Sequence, residues 1–231
     1  MNGLLRHIEA LNSWNPQNFR GFYYAGVRVG YLKAPVCEAL RQWPDYFRVE
    51  STGVHLNPDL DSFESRTQAL SEVTHALVSQ GLISHAHGEH YPVTSAGRET
   101  AIATIDRTAA PYFGLRAYGQ HLNGYVRSDK GLMLWIARRA LDRRVYPGKL
   151  DNMVAGGLPH DLTLAENLRK ECMEEAAVPA ELAAQALPVG VVTYCKETPA
   201  GLKPDTLYCY DLRLPDDFKP RNPDGEVASN A

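Results

Sequence analysis

The stretch LDNMVAGGLPHDLTLAENLRKECMEEAAV at 150–178 constrains this chain more than any other. An apolar segment ending in Ala155-Gly156-Gly157 reads as a strand with a tight exit, and Thr163 and Glu166 then stand in capping-box spacing. The Thr163 side chain is expected to accept from the Glu166 N–H while the Glu166 carboxylate accepts from the Thr163 N–H, which fixes the start of a helix. At 100° per residue, Glu171, Glu174 and Glu175 then fall within about 100° of one another, beside an apolar stripe of Ala165, Leu168, Cys172 and Ala176. One edge is acidic and its neighbour is buried. Like charges at these spacings repel by a few tenths of a kcal/mol per pair in water, and by more once desolvated. Lys170 is spaced to pair with both Glu166 and Glu174, but one ammonium cannot neutralise three clustered carboxylates. A hard divalent cation such as Mg²⁺ would, because it takes carboxylate oxygens together with substrate phosphates. For an isolated E-x-x-E-E, a solvated helix face is the plainer explanation.

Composition sets the outer limits. With 231 residues, 44% hydrophobic and 22% charged, the chain suffices for one large domain or two small ones. A net charge of −3 gives no basic face for phosphate backbones, so no nucleic-acid partner is expected. No apolar run approaches the roughly 20 residues needed to span a bilayer, so no membrane partner is expected either. The opening MNGLLRHIEALNSWN interrupts its apolar positions with Arg, His and Glu, unlike a secretory leader. Cys37, Cys172, Cys195 and Cys209 show no C-x-x-C spacing and read as reduced thiols of a cytoplasmic protein.

Two domains are expected. In 1–113, a helix at 2–12 carries Leu4, Leu5, Ile8 and Leu11 on one stripe. GFYYAGVRVGYL at 21–32 reads as a strand, PVCEALRQW as a helix from Pro35, and FRVESTGVHL at 47–56 as a second strand with a turn near Gly53. SFESRTQALSEVTHALVSQG at 62–81 is a helix with a Gly stop. After the turn-rich HAHGEHYPVTSAGRE the pattern changes, giving a boundary near Phe113 and a second domain over 114–231. Its strands are LRAYGQHLNGYVRS, LMLWIARRA, LDNMVAGG, ALPVGVVTYCKE and TLYCYDLRL, followed by a Pro/Asp-rich tail.

Gly156, Glu171, Glu174, Glu175 and Val178 coincide with positions of the box G-x5-E-x7-R-E-U-x-E-E-x-G-U, where U is a bulky aliphatic residue, and in this the chain resembles the Nudix hydrolase superfamily. Four positions depart: Leu162 stands at the first Glu, Lys170 at the Arg, Cys172 at a bulky aliphatic place and Ala177 at the second Gly. In family members that early Glu and the Arg commonly interact; a Glu166–Lys170 pair is the expected substitute here. DNMVAGGLPH, ENLRKECMEEA, HLNGYV at 121–126 and a preceding α+β region of about 110 residues together resemble the subfamily related to thiamine pyrophosphokinase. The resemblance implies an α+β fold class: an N-terminal α+β domain followed by a Nudix α/β/α sandwich with a mixed sheet. Such domains normally continue past a DGEV-like segment with a strand and a helix. Only ASNA follows Val227, so either this is a fragment or the fold closes differently.

The same resemblance implies a hydrolase that uses Mg²⁺ or Mn²⁺ to cleave a small-molecule diphosphate by water attack at phosphorus. Glu171, Glu174 and Glu175 would be metal ligands, with the Gly156 carbonyl a further one, and Lys170 would orient the carboxylates. Family members take the general base from the box, here Glu174 or Glu175, or from a later loop, where Glu226 in DGEV is the candidate against an ordinary tail glutamate. Arg138, Arg139, Arg143 and Arg144 would draw in a polyphosphate unless they form a solvated hairpin end. Trp135 and Tyr194 are candidates to stack on a substrate ring, with packing as the default. Thiamine-diphosphate-like substrates, including oxothiamine and oxythiamine diphosphate, are the leading expectation. Oxidised nucleoside diphosphates of the dGDP type come second, and a Nudix fold kept as a binding module is the competing class. A homodimer is also admitted. His85, His87 and His90 invite a zinc reading, but their irregular spacing without a nearby Cys favours a polar loop.

Overall fold

The computed structural model describes residues 3, 5–129, 131–142, 146–222, 225 and 227–230. By contacts the chain forms two units: Met1–Ala117 with Pro159–Asp161 and Thr193–Asp205, and Tyr118–Leu158 with Leu162–Val192 and Thr206–Ala231.

In the first unit, helix α1 (Leu5–Leu11) leaves Leu5, Ile8 and Leu11 exposed, so none of these apolar positions is buried. The aromatic stretch that reads as one strand is a hairpin, β1 (Phe19–Tyr24) and β2 (Val27–Lys33), antiparallel. Its two-residue loop, Ala25-Gly26, has φ of 47° and 80°, the left-handed pair that a tight hairpin requires. Alanine carries no turn signal, which is why the sequence conceals the reversal. Helix α2 (Ala34–Leu40) starts one residue before Pro35 and buries Val36, Cys37 and Leu40. Strands β3 (Phe47–Val49) and β4 (Gly53–Leu56) divide the second expected strand into an antiparallel pair, and β4 runs parallel to β1, giving the order β2-β1-β4-β3.

Helix α3 (Phe63–Ser79) opens with Ser62 and Ser65 in a reciprocal cap and buries Ala69, Leu70, Val73 and Leu77. Each buried Leu contributes about 1.5–3 kcal/mol. A two-stranded ladder, β5 (His90–Val93) with β6 (Ala103–Asp106), completes this unit. Residues 159–161 are held within it: buried Arg98 donates from Nη2 to the Pro159 and His160 carbonyls, the His160 N–H donates to the His90 carbonyl, and the His160 ring stacks on Phe63 at 5.5 Å. Burial and the Arg98 charge hold the His160 pKa below its usual value, with Asp161 acting the other way.

The second unit is built on β7 (Tyr118–Ser128). LMLWIARRA breaks at Trp135 into β8 (Gly131–Leu134) and β9 (Ile136–Arg139), and LDNMVAGG breaks at Met153 into β10 (Leu150–Asn152) and β11 (Val154–Gly157). Met153 is fully buried and Trp135 packs against the same core, so each break sinks a large side chain while its two strands enter different sheets. Helix α4 (Leu164–Ala176) and the single turn α5 (Ala180–Ala183) follow, then the long strands β12 (Leu187–Thr198) and β13 (Gly201–Arg213), whose stretch Thr193–Asp205 counts with the first unit, and finally β14 (Val227–Asn230). One sheet has the order β11-β7-β13-β12 with β8 on β7, the other β10-β9-β14. β13 is parallel to β7 while β11 is antiparallel to it, so the sheet is mixed, as expected. α4 buries Leu168, Cys172 and Ala176 with Leu122, Val154, Tyr210 and Leu212. Among the described residues no helix is long and apolar enough to cross a membrane.

Candidate functional site: a carboxylate-bearing helix docked on a glycine strand

The expected capping box starts α4: the Thr163 hydroxyl accepts from the Glu166 N–H, and Glu166 accepts from the Thr163 N–H at 2.9 Å. The Thr163 hydroxyl also donates to the Glu166 carboxylate at 2.6 Å, and this bond, with that from the Thr163 N–H, holds the Glu166 carboxyl below the usual range. Glu166 is thereby occupied, and Lys170 instead donates to Glu171 (3.2 Å) and Glu174 (2.7 Å). Burial works against the Lys170 ammonium, yet the bond to Glu174 and the charge of Glu171 outweigh it and raise its pKa. At the far end, Ala177 adopts φ 52° and ψ 37°, the left-handed cap for which the box pattern carries Gly.

Two of the three glutamates are buried as well as charged: Glu171 is 8% exposed and Glu175 6%, whereas Glu174 is half-exposed. Their burial is set by β11. The Glu171 carboxylate packs flat against Gly156, where a Cβ would overlap its Cδ, Oε2 and Cγ. Glu175 Oε2 accepts from the Ala155 N–H at 2.7 Å. Asn167, fully buried one turn before Glu171, donates to the Gly157 carbonyl and to Gln120 Oε1, both at 2.8 Å, and so ties α4 to the strands rather than facing a ligand. Gln120 in turn donates to the Leu164 carbonyl and the Tyr210 hydroxyl. Cys172, between the two carboxylates, has its thiol pushed up to about 12 by burial and by Glu175 and Glu171.

This donor set suits a hard divalent cation in its chemistry: oxygens only, two of the carboxylates removed from water, and a backbone carbonyl strand alongside. As the side chains stand, no three acidic, histidine or cysteine groups among the described residues are gathered tightly enough to enclose an ion; Lys170 bonds Glu171 and Glu174, and the Ala155 N–H bonds Glu175.

The other sequence candidates fall in several places. Arg139 on β9 pairs with Asp151 at 3.3 Å, and both line a shallow recess with Asn152, Ala155 and Glu175. Arg138 is exposed and donates to the Gly148 carbonyl. Trp135 packs on the core of the second unit, with its indole N–H buried and without a hydrogen-bond partner among the described residues. Tyr194 belongs to the first unit, where its hydroxyl donates to Asp205 at 2.6 Å. Glu226, Arg143 and Arg144 lie outside the described residues. His85 meets Ser84, and His87 approaches Glu89 at 3.9 Å, as a polar loop would. Sequence reasoning missed the polar side chains His121, Asn123, Asn152 and Asp211 on β7, β10 and β13; alternation along β7 was the available signal.

A family model described as a domain of unknown function, DUF4743, matches residues 3–117. Nudix hydrolase 24, chloroplastic, of Arabidopsis thaliana is 46% identical over 226 residues, covering 97% of this chain and 60% of that protein. Nudix hydrolase 20, chloroplastic, of the same plant is 42% identical over 210 residues, covering 87% and 56%. The chain therefore spans somewhat over half the length of these curated relatives. A solved structure of DR0079 from Deinococcus radiodurans is 24% identical, covering 62% of this chain and 82% of that one, with a TM-score of 0.45.

Proposed function

The chain belongs to the Nudix superfamily, and from that premise we propose that it is a Mg²⁺- or Mn²⁺-dependent hydrolase that cleaves a small-molecule diphosphate to a monophosphate. The observation that carries this reading is the pair of buried carboxylates, Glu171 and Glu175, seated on Gly156 and Ala155 with Glu174 beside them. Burying two anions on one helix edge costs several kcal/mol unless positive charge repays it, and a divalent cation bound by carboxylate oxygens supplies two such charges at one point.

Glu171, Glu174, Glu175 and the Gly156 carbonyl would hold the cation, which when bound neutralises non-bridging phosphate oxygens and lowers the pKa of a water. The rest falls to the chain itself. Ala155 fixes Glu175 through its N–H, Asn167 and Gln120 hold α4 at one distance from β11, and Lys170 orients Glu171 and Glu174. Water adds to phosphorus, the anhydride P–O bond breaks, and the water's proton passes to a carboxylate; Glu174, Glu175 and Glu226 are the candidates. Arg139, at the recess beside Glu175, would meet a phosphate, with Arg138 and Trp135 as further candidate contacts.

The thiamine pyrophosphokinase-related subfamily, substrates such as oxothiamine and oxythiamine diphosphate, a 1–113/114–231 domain division and a cytoplasmic location belong to the same proposal; the Arabidopsis relatives are named as chloroplastic. The test is a Mg²⁺-dependent phosphate-release screen over thiamine diphosphate analogues and nucleoside diphosphates, with Glu174→Gln and Glu175→Gln alongside. Turnover that both substitutions abolish supports the reading. Equal turnover in the variants removes it.

A further inference from the structure

On β7 the residues Gln120, Leu122 and Gly124 are buried, while His121 and Asn123 alternate with them and are half-buried. Pairing puts His121 opposite Cys209 and Ala155, and Asn123 opposite Asp211, so these side chains share one sheet face. They are linked end to end. Asn123 Nδ2 donates to Asp211 Oδ1 at 2.9 Å, Asn152 Nδ2 donates to Asn123 Oδ1 at 2.6 Å, and Asn152 Oδ1 meets His121 Nδ1 at 2.8 Å.

The direction of this chain follows from its anionic end. An ionised carboxylate only accepts, so Asn123 must offer Asp211 its NH₂ and turn its carbonyl to Asn152. Asn152 must then donate to Asn123 and turn its own carbonyl to His121, leaving His121 Nδ1 as the donor. A neutral imidazole with its proton on Nδ1 has a lone pair on Nε2. Asn152 also lines the recess that contains Glu175 and Arg139.

We infer that His121 is a specificity-determining residue, held by Asp211 through Asn123 and Asn152 in the tautomer that offers Nε2 as an acceptor to an N–H donor on the organic end of the substrate. This rests on the diphosphate-hydrolase reading and deepens it. The class selected is a diphosphate whose other end is an amino-substituted nitrogen heterocycle, since an exocyclic amine supplies the N–H that Nε2 accepts. A diphosphate without such a ring gains nothing from His121.

The experiment is long-range ¹H–¹⁵N correlation of the imidazole rings in the full ¹⁵N-labelled chain, with His121 assigned by its loss in His121→Ala. The expected wild-type spectrum shows His121 protonated at Nδ1, and Asp211→Asn, whose amide can donate as well as accept, populates the Nε2–H form. Thiamine diphosphate and ADP are expected to move the Nε2 resonance while inorganic pyrophosphate leaves it in place. His121→Ala should weaken binding of the two ring-bearing ligands roughly three- to tenfold, the range for one lost hydrogen bond, and leave pyrophosphate unchanged. A wild-type Nε2–H tautomer, an Asp211→Asn spectrum identical to wild type, or an Nε2 resonance unmoved at saturating levels of both ring-bearing ligands overturns the inference. So does an equal loss for all three ligands. Mn²⁺ broadening of the α4 amide signals, read in the same samples, tests the metal reading separately.

Discussion

Gly156 has no positive φ and could take a side chain as far as its torsions are concerned; what forbids one is the Glu171 carboxylate lying on its α-carbon. In Gly156→Ala the new methyl would overlap Cγ, Cδ and Oε2 of Glu171, so the carboxylate must retreat by roughly 1 Å or more to regain ordinary contact. Overpacking of this kind costs about 1–3 kcal/mol. Glu171 can swing its flexible end, which places the expected loss near the lower figure, but the swing moves a proposed metal ligand. Displaced ligand support typically costs 10–100-fold in metal affinity. The assay is a double-mutant cycle in urea with Mn²⁺ titration of each variant, using Gly156→Ala, Glu171→Ala and the double substitution. Because the three nearest overlapping atoms all belong to Glu171 beyond Cβ, the Gly156→Ala penalty should largely vanish in the Glu171→Ala background, giving a coupling about equal to the single-mutant cost. Additivity within about 0.5 kcal/mol, the behaviour of independent sites, would refute the reasoning.

Ala177→Gly should stabilise the chain by about 1 kcal/mol, since alanine pays that much to sit in the left-handed region and glycine does not; urea midpoints check it. Asn167→Ala leaves the Gly157 carbonyl and Gln120 Oε1 without their donor in a buried place, and at about 1–3 kcal/mol per orphaned group the loss should reach about 3 kcal/mol. Glu166 has a folded pKa below its unfolded value of about 4.3, so its contribution is full above that pH and lost as pH falls through the lower folded value. Thermal unfolding of wild type and Glu166→Ala should accordingly differ at neutral pH and converge in acid.

Helix α4 was legible because three local signals agree: a capping box, a 3.6-residue apolar stripe and a glycine pair before it. α3 was legible for its periodicity, although its cap uses Ser65 where a Glu or Gln would have been the stronger signal. The strands were harder. Ala25 in a hairpin loop and Met153 at a strand break carry no punctuation, since the first adopts an uncommon torsion and the second is dictated by core packing. At the site, residue types announced the glutamates, but their partners depend on sheet register. Periodicity placed Glu166, Lys170 and Glu174 on one face and the capping box announced the Glu166 bond to Thr163, but only the structure shows Lys170 turned to Glu171 and Glu174 instead of Glu166. The linked set of His121, Asn123, Asn152 and Asp211 joins residues up to 90 positions apart, and no local pattern brings them together.

The central claim is that α4 gathers carboxylates for a divalent ion. Titrating Mn²⁺ by electron paramagnetic resonance into wild type, Glu171→Gln and Glu175→Gln, each with and without thiamine diphosphate, tests it most directly. The account predicts stoichiometric uptake by the wild type that tightens with the diphosphate and weakens at least tenfold in either variant. Uptake that is absent from the wild type, or indifferent to both substitutions, would contradict it.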